Sequence, residues 1–139
     1  MFGKKTGKPQ SQIDTLIGVN TRIEGNINFS GGLRVDGHIK GNVIASMDKP
    51  STLVLSDQAV VEGKILASHA IINGVVIGAI QASEYVELQA KAKVSGDIQY
   101  KAMEIHVGAT IEGMLLHSGK DDMESGNKVV PLITVAHGD

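Results

Sequence analysis

Five histidines, His38, His69, His106, His117 and His137, are the side chains in this sequence best suited to chemistry. Imidazole changes charge near neutral pH and is the usual general base. His38 and His106 lie in or beside short strand-like segments, where a neighbouring subunit would complete a cleft, as in a trimeric acyltransferase built of stacked strands. Both, however, alternate with inward aliphatic residues and read as outward surface positions. The His, Asp and Glu residues do not fall at the spacing of a metal site, and a chain with no cysteine offers no thiolate ligand or disulfide. No G-x-x-x-x-G-K-[ST] phosphate loop and no nucleophile–base pair is written in the chain. We expect no catalytic, cofactor-binding or metal-binding residue, and a protein that is not an enzyme.

The elements around these histidines are far more informative. A five-residue phrase (aliphatic, any, Gly, any, aliphatic) recurs as Ile23–Ile27, Val35–Ile39, Val61–Ile65, Ile72–Val76, Val94–Ile98 and Ile111–Leu115, and two copies run on into Ile39–Val43 and Val76–Ile80. Alternation with period two means short strands, each too small to bury its own apolar side. Taking one glycine per coil, Gly25, Gly41, Gly63, Gly78, Gly96 and Gly113 are 16, 22, 15, 18 and 17 residues apart. The longest interval contains the polar, proline-bearing stretch 46–52, which reads as a loop inserted in one coil. A period near 17 holds three short strands and three corners, which is a parallel β-helix of about six coils from near Thr15 to near Leu116. At about 4.8 Å per coil its rod is roughly 30 Å long. The same alternation puts the glycines on the inward side, where the missing side chain admits a sharp bend and close backbone approach in a narrow interior.

Aligning the glycines stacks Glu24, Lys40 and Glu62 into a column of alternating charge. Opposite charges on adjacent strands contribute about 0.2–1 kcal/mol each, so this register is electrostatically sound. One coil breaks the polar rule: Val75, Ile77 and Ala79 take outward positions, an expected lateral or partner contact, unless a corner shifts the phase and turns them inward. The terminal coils of such a stack present unpaired strand edges that template further pairing. We expect a C-terminal apolar edge of Ile105, Val107, Ile111 and Leu115 and an N-terminal one of Leu16, Ile17 and Ile23. Val129–Val135 could fold over an end, although Pro131 interrupts it as a strand.

Composition suggests three segments: a basic arm at 1–13, the β-helix at 14–116 and a polar tail at 117–139. The arm holds Lys4, Lys5 and Lys8 and no acid, whereas 14–116 carries 8 basic against 11 acidic residues. Such a body is a poor polyanion binder, and we expect no nucleic-acid partner. No apolar run reaches the ~18 residues of a membrane span, and no apolar stretch follows the first lysines as in a secretory leader. Burying Phe2 contributes roughly 2–3 kcal/mol, and three lysines at an anionic leaflet add about 1 each. One arm of that strength barely holds a monomer; a polymer displaying many would hold firmly.

The repeat between flexible ends, the opening Met1-Phe2-Gly3-Lys4-Lys5, the stretch Gly31-Gly32-Leu33-Arg34-Val35-Asp36-Gly37-His38-Ile39-Lys40-Gly41-Asn42-Val43, and the segment running from Val107 through Ile111 to Gly113 together resemble the bactofilins, bacterial cytoskeletal proteins. The resemblance implies an all-β, single-stranded, right-handed parallel β-helix with disordered N- and C-terminal tails. It also implies a homopolymer: non-polar filaments formed without nucleotide, lying in the cytoplasm against the inner membrane and positioning morphogenetic or cell-wall proteins. Membrane contact would then fall on Met1, Phe2, Lys4 and Lys5. Members of that family often carry an aromatic residue where this chain has Ile111, at a position used for end-to-end contact.

Overall fold

The computed structural model describes residues 12–118 and the backbone of Val129–Val130. Among these residues every regular element is a strand, and no helix is long and apolar enough to cross a membrane. The first coil is β1 (Thr15–Ile17), β2 (Arg22–Glu24) and β3 (Ile27–Phe29); the second is β4 (Gly32–Val35), β5 (His38–Lys40) and β6 (Val43–Ala45). Then follow β7 (Thr52–Leu55), β8 (Val60–Glu62), β9 (Ile65–Ile72), β10 (Val75–Ile77) and β11 (Ile80–Leu88). The stack continues with β12 (Lys93–Ser95), β13 (Ile98–Tyr100), β14 (Ala102–Ile105), β15 (Thr110–Glu112) and β16 (Leu115–His117). Strands β9 and β11 each turn a corner and serve two coils.

All pairings from Thr15 to His117 are parallel, and they join each coil to the next. One face stacks six strands in the order β2, β5, β8, β10, β12, β15. The register places Ile23, Ile39, Val61, Val76, Val94 and Ile111 one above another, and Glu24, Lys40 and Glu62 likewise. The glycine spacing and the charge column therefore both hold. The inward side chains form one continuous core, with Leu33, Val35, Ile39, Leu53, Ile65, Ile72, Ile80, Leu88 and Ile98 all at 0–1% exposure. Deep burial of short aliphatic side chains from all three faces is what holds strands this short in place.

The glycines do sit at corners and allow a close backbone approach, but its direction differs from the one expected. A Cβ at Gly41, Gly63, Gly78, Gly96 or Gly113 would strike the carbonyl oxygen of the equivalent glycine one coil earlier. The constraint therefore lies along the stack and not across the bore. Coils are one strand spacing apart, and at these corners the vector that would carry a side chain points straight down the axis. Gly78 also has a φ of 150°, which L residues rarely adopt.

The polar stretch after β6 is a loop, as its composition suggests, and its end is fixed. Ser51 is fully buried; its N–H donates to Ser68 Oγ at 2.7 Å, and its carbonyl accepts from Ser68 Oγ at 2.8 Å. At other corners side-chain amides and carboxylates bridge coils: Asn26 Oδ1 accepts from the N–H of Asn42, Asn42 Oδ1 from that of Lys64, and Asp97 Oδ1 from that of Met114. These bonds satisfy backbone donors that the ladders leave over at the turns.

Candidate assembly surfaces

Within the first coil, β1, β2 and β3 each pair on one side only, with β4, β5 and β6. Their other edges are open among the described residues. Ile17 is 8% exposed, and Ile23, Ile27 and Phe29 are half-buried although they point into the core. The difference from the middle coils arises because, among the described residues, no coil lies beneath them. Leu16 is placed elsewhere: it stacks on Arg34, faces outward and is 58% exposed, so it belongs to the flank and not to the core end.

At the other end, β14 pairs with β11 and β15 with β12, again on one side. Ile111 and Leu115 are inward and nearly buried, while Met103 and Ile105 are half-buried against the core. Val107 sits in a turn and is 85% exposed, away from the other three. Strand β16 differs from its neighbours, because Val129–Val130 (β17) pairs with it antiparallel, Leu115 opposite Val130 and Leu116 opposite Val129. The tail thus occupies one of the three C-terminal edges with the two residues that precede Pro131. Phe29 and Met103 are end residues that lie outside every copy of the five-residue phrase. The inward alternation of their strands would have found them.

On the flank, Val76 and Ile80 are fully buried while Val75 and Ala79 are half-exposed and Ile77 is 50% exposed. No corner shifts the phase, and all three side chains face outward. Val75 lies between Val60 and Lys93, and Ile77 between Glu62 and Ser95. The segments Met1–Ser11, which include Phe2, Lys4 and Lys5, lie outside the described residues, as does His137.

The histidines are distributed over the surface and corners. His38 Nε2 is 2.9 Å from Glu62 Oε2, one coil above. His69 is buried at the corner under the inserted loop, with Nδ1 2.9 Å from Ser68 Oγ. His117 Nε2 is 2.9 Å from the carbonyl of Lys101. His106 joins a group invisible at sequence spacing, in which its Nε2 is 3.0 Å from Glu104 and 3.5 Å from Glu87. The Tyr85 hydroxyl donates to both carboxylates at 2.9 Å, and Gln89 Nε2 donates to Glu87. The ligand atoms of Glu87, Glu104 and His106 lie within 4.8 Å of one another, so a cluster of metal-binding type does exist where none was expected. Its oxygens are engaged by these donors, as in a hydrogen-bonded knot joining two coils. Burial of the hydroxyl, and then its two carboxylate partners, push the Tyr85 pKa well above its ordinary value, and the Tyr85 bond holds Glu104 low.

Among known proteins, the family model for bactofilin, described as polymer-forming cytoskeletal, matches residues 15–115. The chain is 33% identical to bactofilin BacP of Myxococcus xanthus (strain DK1622) over 104 residues, 74% of this chain and 42% of BacP. It is 33% identical to bactofilin BacO of the same organism over 100 residues, 72% of this chain and 76% of BacO. It therefore spans less than half the length of BacP. A Thermus thermophilus bactofilin, reconstructed by cryo-EM as double helical filaments, is similar with a TM-score of 0.65 and 25% identity, over 75% of this chain and 99% of that one.

Proposed function

This chain belongs to the bactofilins, a polymer-forming cytoskeletal family, and from that premise we propose that it is a non-enzymatic scaffold that assembles end to end into non-polar filaments without nucleotide. The observation that carries the reading is the pair of open ends. Each terminal coil has unpaired strand edges around half-buried apolar side chains, among the described residues. Stacking the end of a second subunit there pairs the open strand edges and completes the burial of Ile17 and Ile23 at one end, or Ile105 and Ile111 at the other. If each end meets its own kind, two isologous contacts at opposite ends propagate without limit and give the filament no polarity. Electron microscopy of the purified protein without nucleotide tests this. Filaments are expected, whereas compact trimers would favour an acyltransferase-like assembly.

The finer part of the reading is that the filament lies on the inner face of the cytoplasmic membrane and positions cell-wall or cell-shape proteins. Phe2 would insert, with Lys4 and Lys5 drawn to anionic headgroups beside Met1. In co-sedimentation with anionic liposomes, Phe2→Ala should weaken binding and added salt weaken it further. Equal binding by a chain lacking residues 2–9 would remove the arm as an anchor.

A further inference from the structure

The face built on β10 has an apolar row at its centre and a charge pattern with a direction. Reading up its second outward column gives Glu24, Lys40, Glu62, Ile77, Ser95 and Glu112. We propose that this face pairs with the same face of a second copy, the two rods antiparallel, about a two-fold axis running along β10 through Ile77.

The charges select the orientation. If the rods ran parallel, the column would fall on itself, setting Glu24, Lys40, Glu62 and Glu112 each against its own copy. Four like-charge juxtapositions oppose association. In the antiparallel arrangement the coil below Ile77 meets the coil above it. Lys40 then faces Glu112 of the other copy, and Glu62 faces Ser95 with Lys93 diagonal to it. At the adjoining corner Lys64 faces Asp97, both exposed. Every one of these pairs occurs twice, and the self-facing residues are Val75, Ile77 and Ala79. Glu62 also holds His38 within its own chain at 2.9 Å, which orients the carboxylate along this face.

The contact is small. Three residues of strand by five coils is about 10 Å by 24 Å, or roughly 240 Å² per copy. A stable pair of proteins buries about 800 Å² on each side. Two isolated subunits therefore stay apart, and the contact acts where many copies are already strung in register, as side-to-side pairing of filaments. In that respect it rests on the polymerising reading above.

Because the chain has no cysteine, single cysteines report the geometry in the full-length protein. With a short bismaleimide that bridges thiols across stacked faces about 10 Å apart, assembled Ile77→Cys and Val75→Cys should each give crosslinked dimers. Lys40→Cys alone should give about tenfold less, since its two copies lie roughly 19 Å apart along the rod, beyond the reach of the linker. Mixing Lys40→Cys with Glu112→Cys should restore the dimer. Separately, Lys40→Glu should disperse paired filaments into single ones, and the double swap Lys40→Glu with Glu112→Lys should pair them again. Strong homodimers of Lys40→Cys without those of Val75→Cys would overturn the antiparallel arrangement. Single filaments with no Ile77→Cys dimer would overturn the lateral contact and leave polymerisation standing. Ile77→Cys dimers from a chain that forms no filaments would do the reverse.

Discussion

A glycine placed at a corner for axial clearance tolerates less than one placed for a loose turn. Gly96→Ala would drive a methyl into the carbonyl oxygen of Gly78, which is fixed by the ladder beneath and cannot move aside. We expect Gly96→Ala to lower stability by about 1–3 kcal/mol, the cost of overpacking a rigid interior. Gly18→Ala meets nothing within 4 Å and should change it by less than about 0.5 kcal/mol, as for ordinary surface substitutions. Urea midpoints of the two variants check the contrast. The Tyr85 hydroxyl gives a second residue-level test. Its pKa lies above the ordinary 10.0 in the folded protein, so folding retains a proton that the unfolded chain would release. That contribution is complete below pH 10 and disappears as pH rises beyond it. Glu104, held low by the same bond, adds a contribution present above its ordinary 4.5 and lost as the pH falls below it. Tyr85→Phe should therefore be less stable than the parent at pH 7, with the gap closing above pH 10 in a pH series of denaturation curves.

Among the strands, the two terminal coils differ from the rest by having one partner each, and Ile111 on β15 is the clearest lever. It is 6% exposed, stacks on Val94 and lies on an edge that β17 does not cover. Ile111→Lys puts a charge where the next subunit would seal the core, and an unpaired buried charge costs several kcal/mol. The variant should remain β-rich by circular dichroism but run as short species, mainly dimers joined through the N-terminal end, in analytical ultracentrifugation. Filaments of undiminished length would take Ile111 out of the interface. Strand register is the level at which the sequence was most readable. Gly25 to Gly113 gave the coil spacing, Glu24–Lys40–Glu62 confirmed it, and Val75, Ile77 and Ala79 kept their outward phase. What stayed hidden depends on geometry that spacing does not encode. Alternation cannot distinguish a glycine facing the bore from one facing along the axis, nor show that Leu16 lies on the flank and Val107 in an exposed turn, away from the core ends. The Tyr85–Glu87–Glu104–His106 group needs the register of a face that has no glycine markers. Strand β17 ends just before Pro131, which interrupts the segment as a longer strand.

For the molecule as a whole, six near-equivalent coils mean that stability is close to a sum of neighbour terms, so a coil can be removed if the columns are kept. Deleting residues 79–96 joins Gly78 to Asp97 and preserves every ladder. The shortened chain should fold, and its filaments should show a subunit repeat shorter by about 4.8 Å in electron micrographs. A deletion of three residues at the same place should abolish folding, because the columns lose phase. The parallel ladders have one more consequence. Their backbone hydrogen bonds run along the rod, so a filament pulled lengthwise loads them in series, one junction after another. Inside a subunit each junction is reinforced by a continuous chain winding through it and by a sealed core. Between subunits the continuous chain is missing. Under tension such a cable parts at its joints and sheds intact subunits, which can re-stack when the load is released.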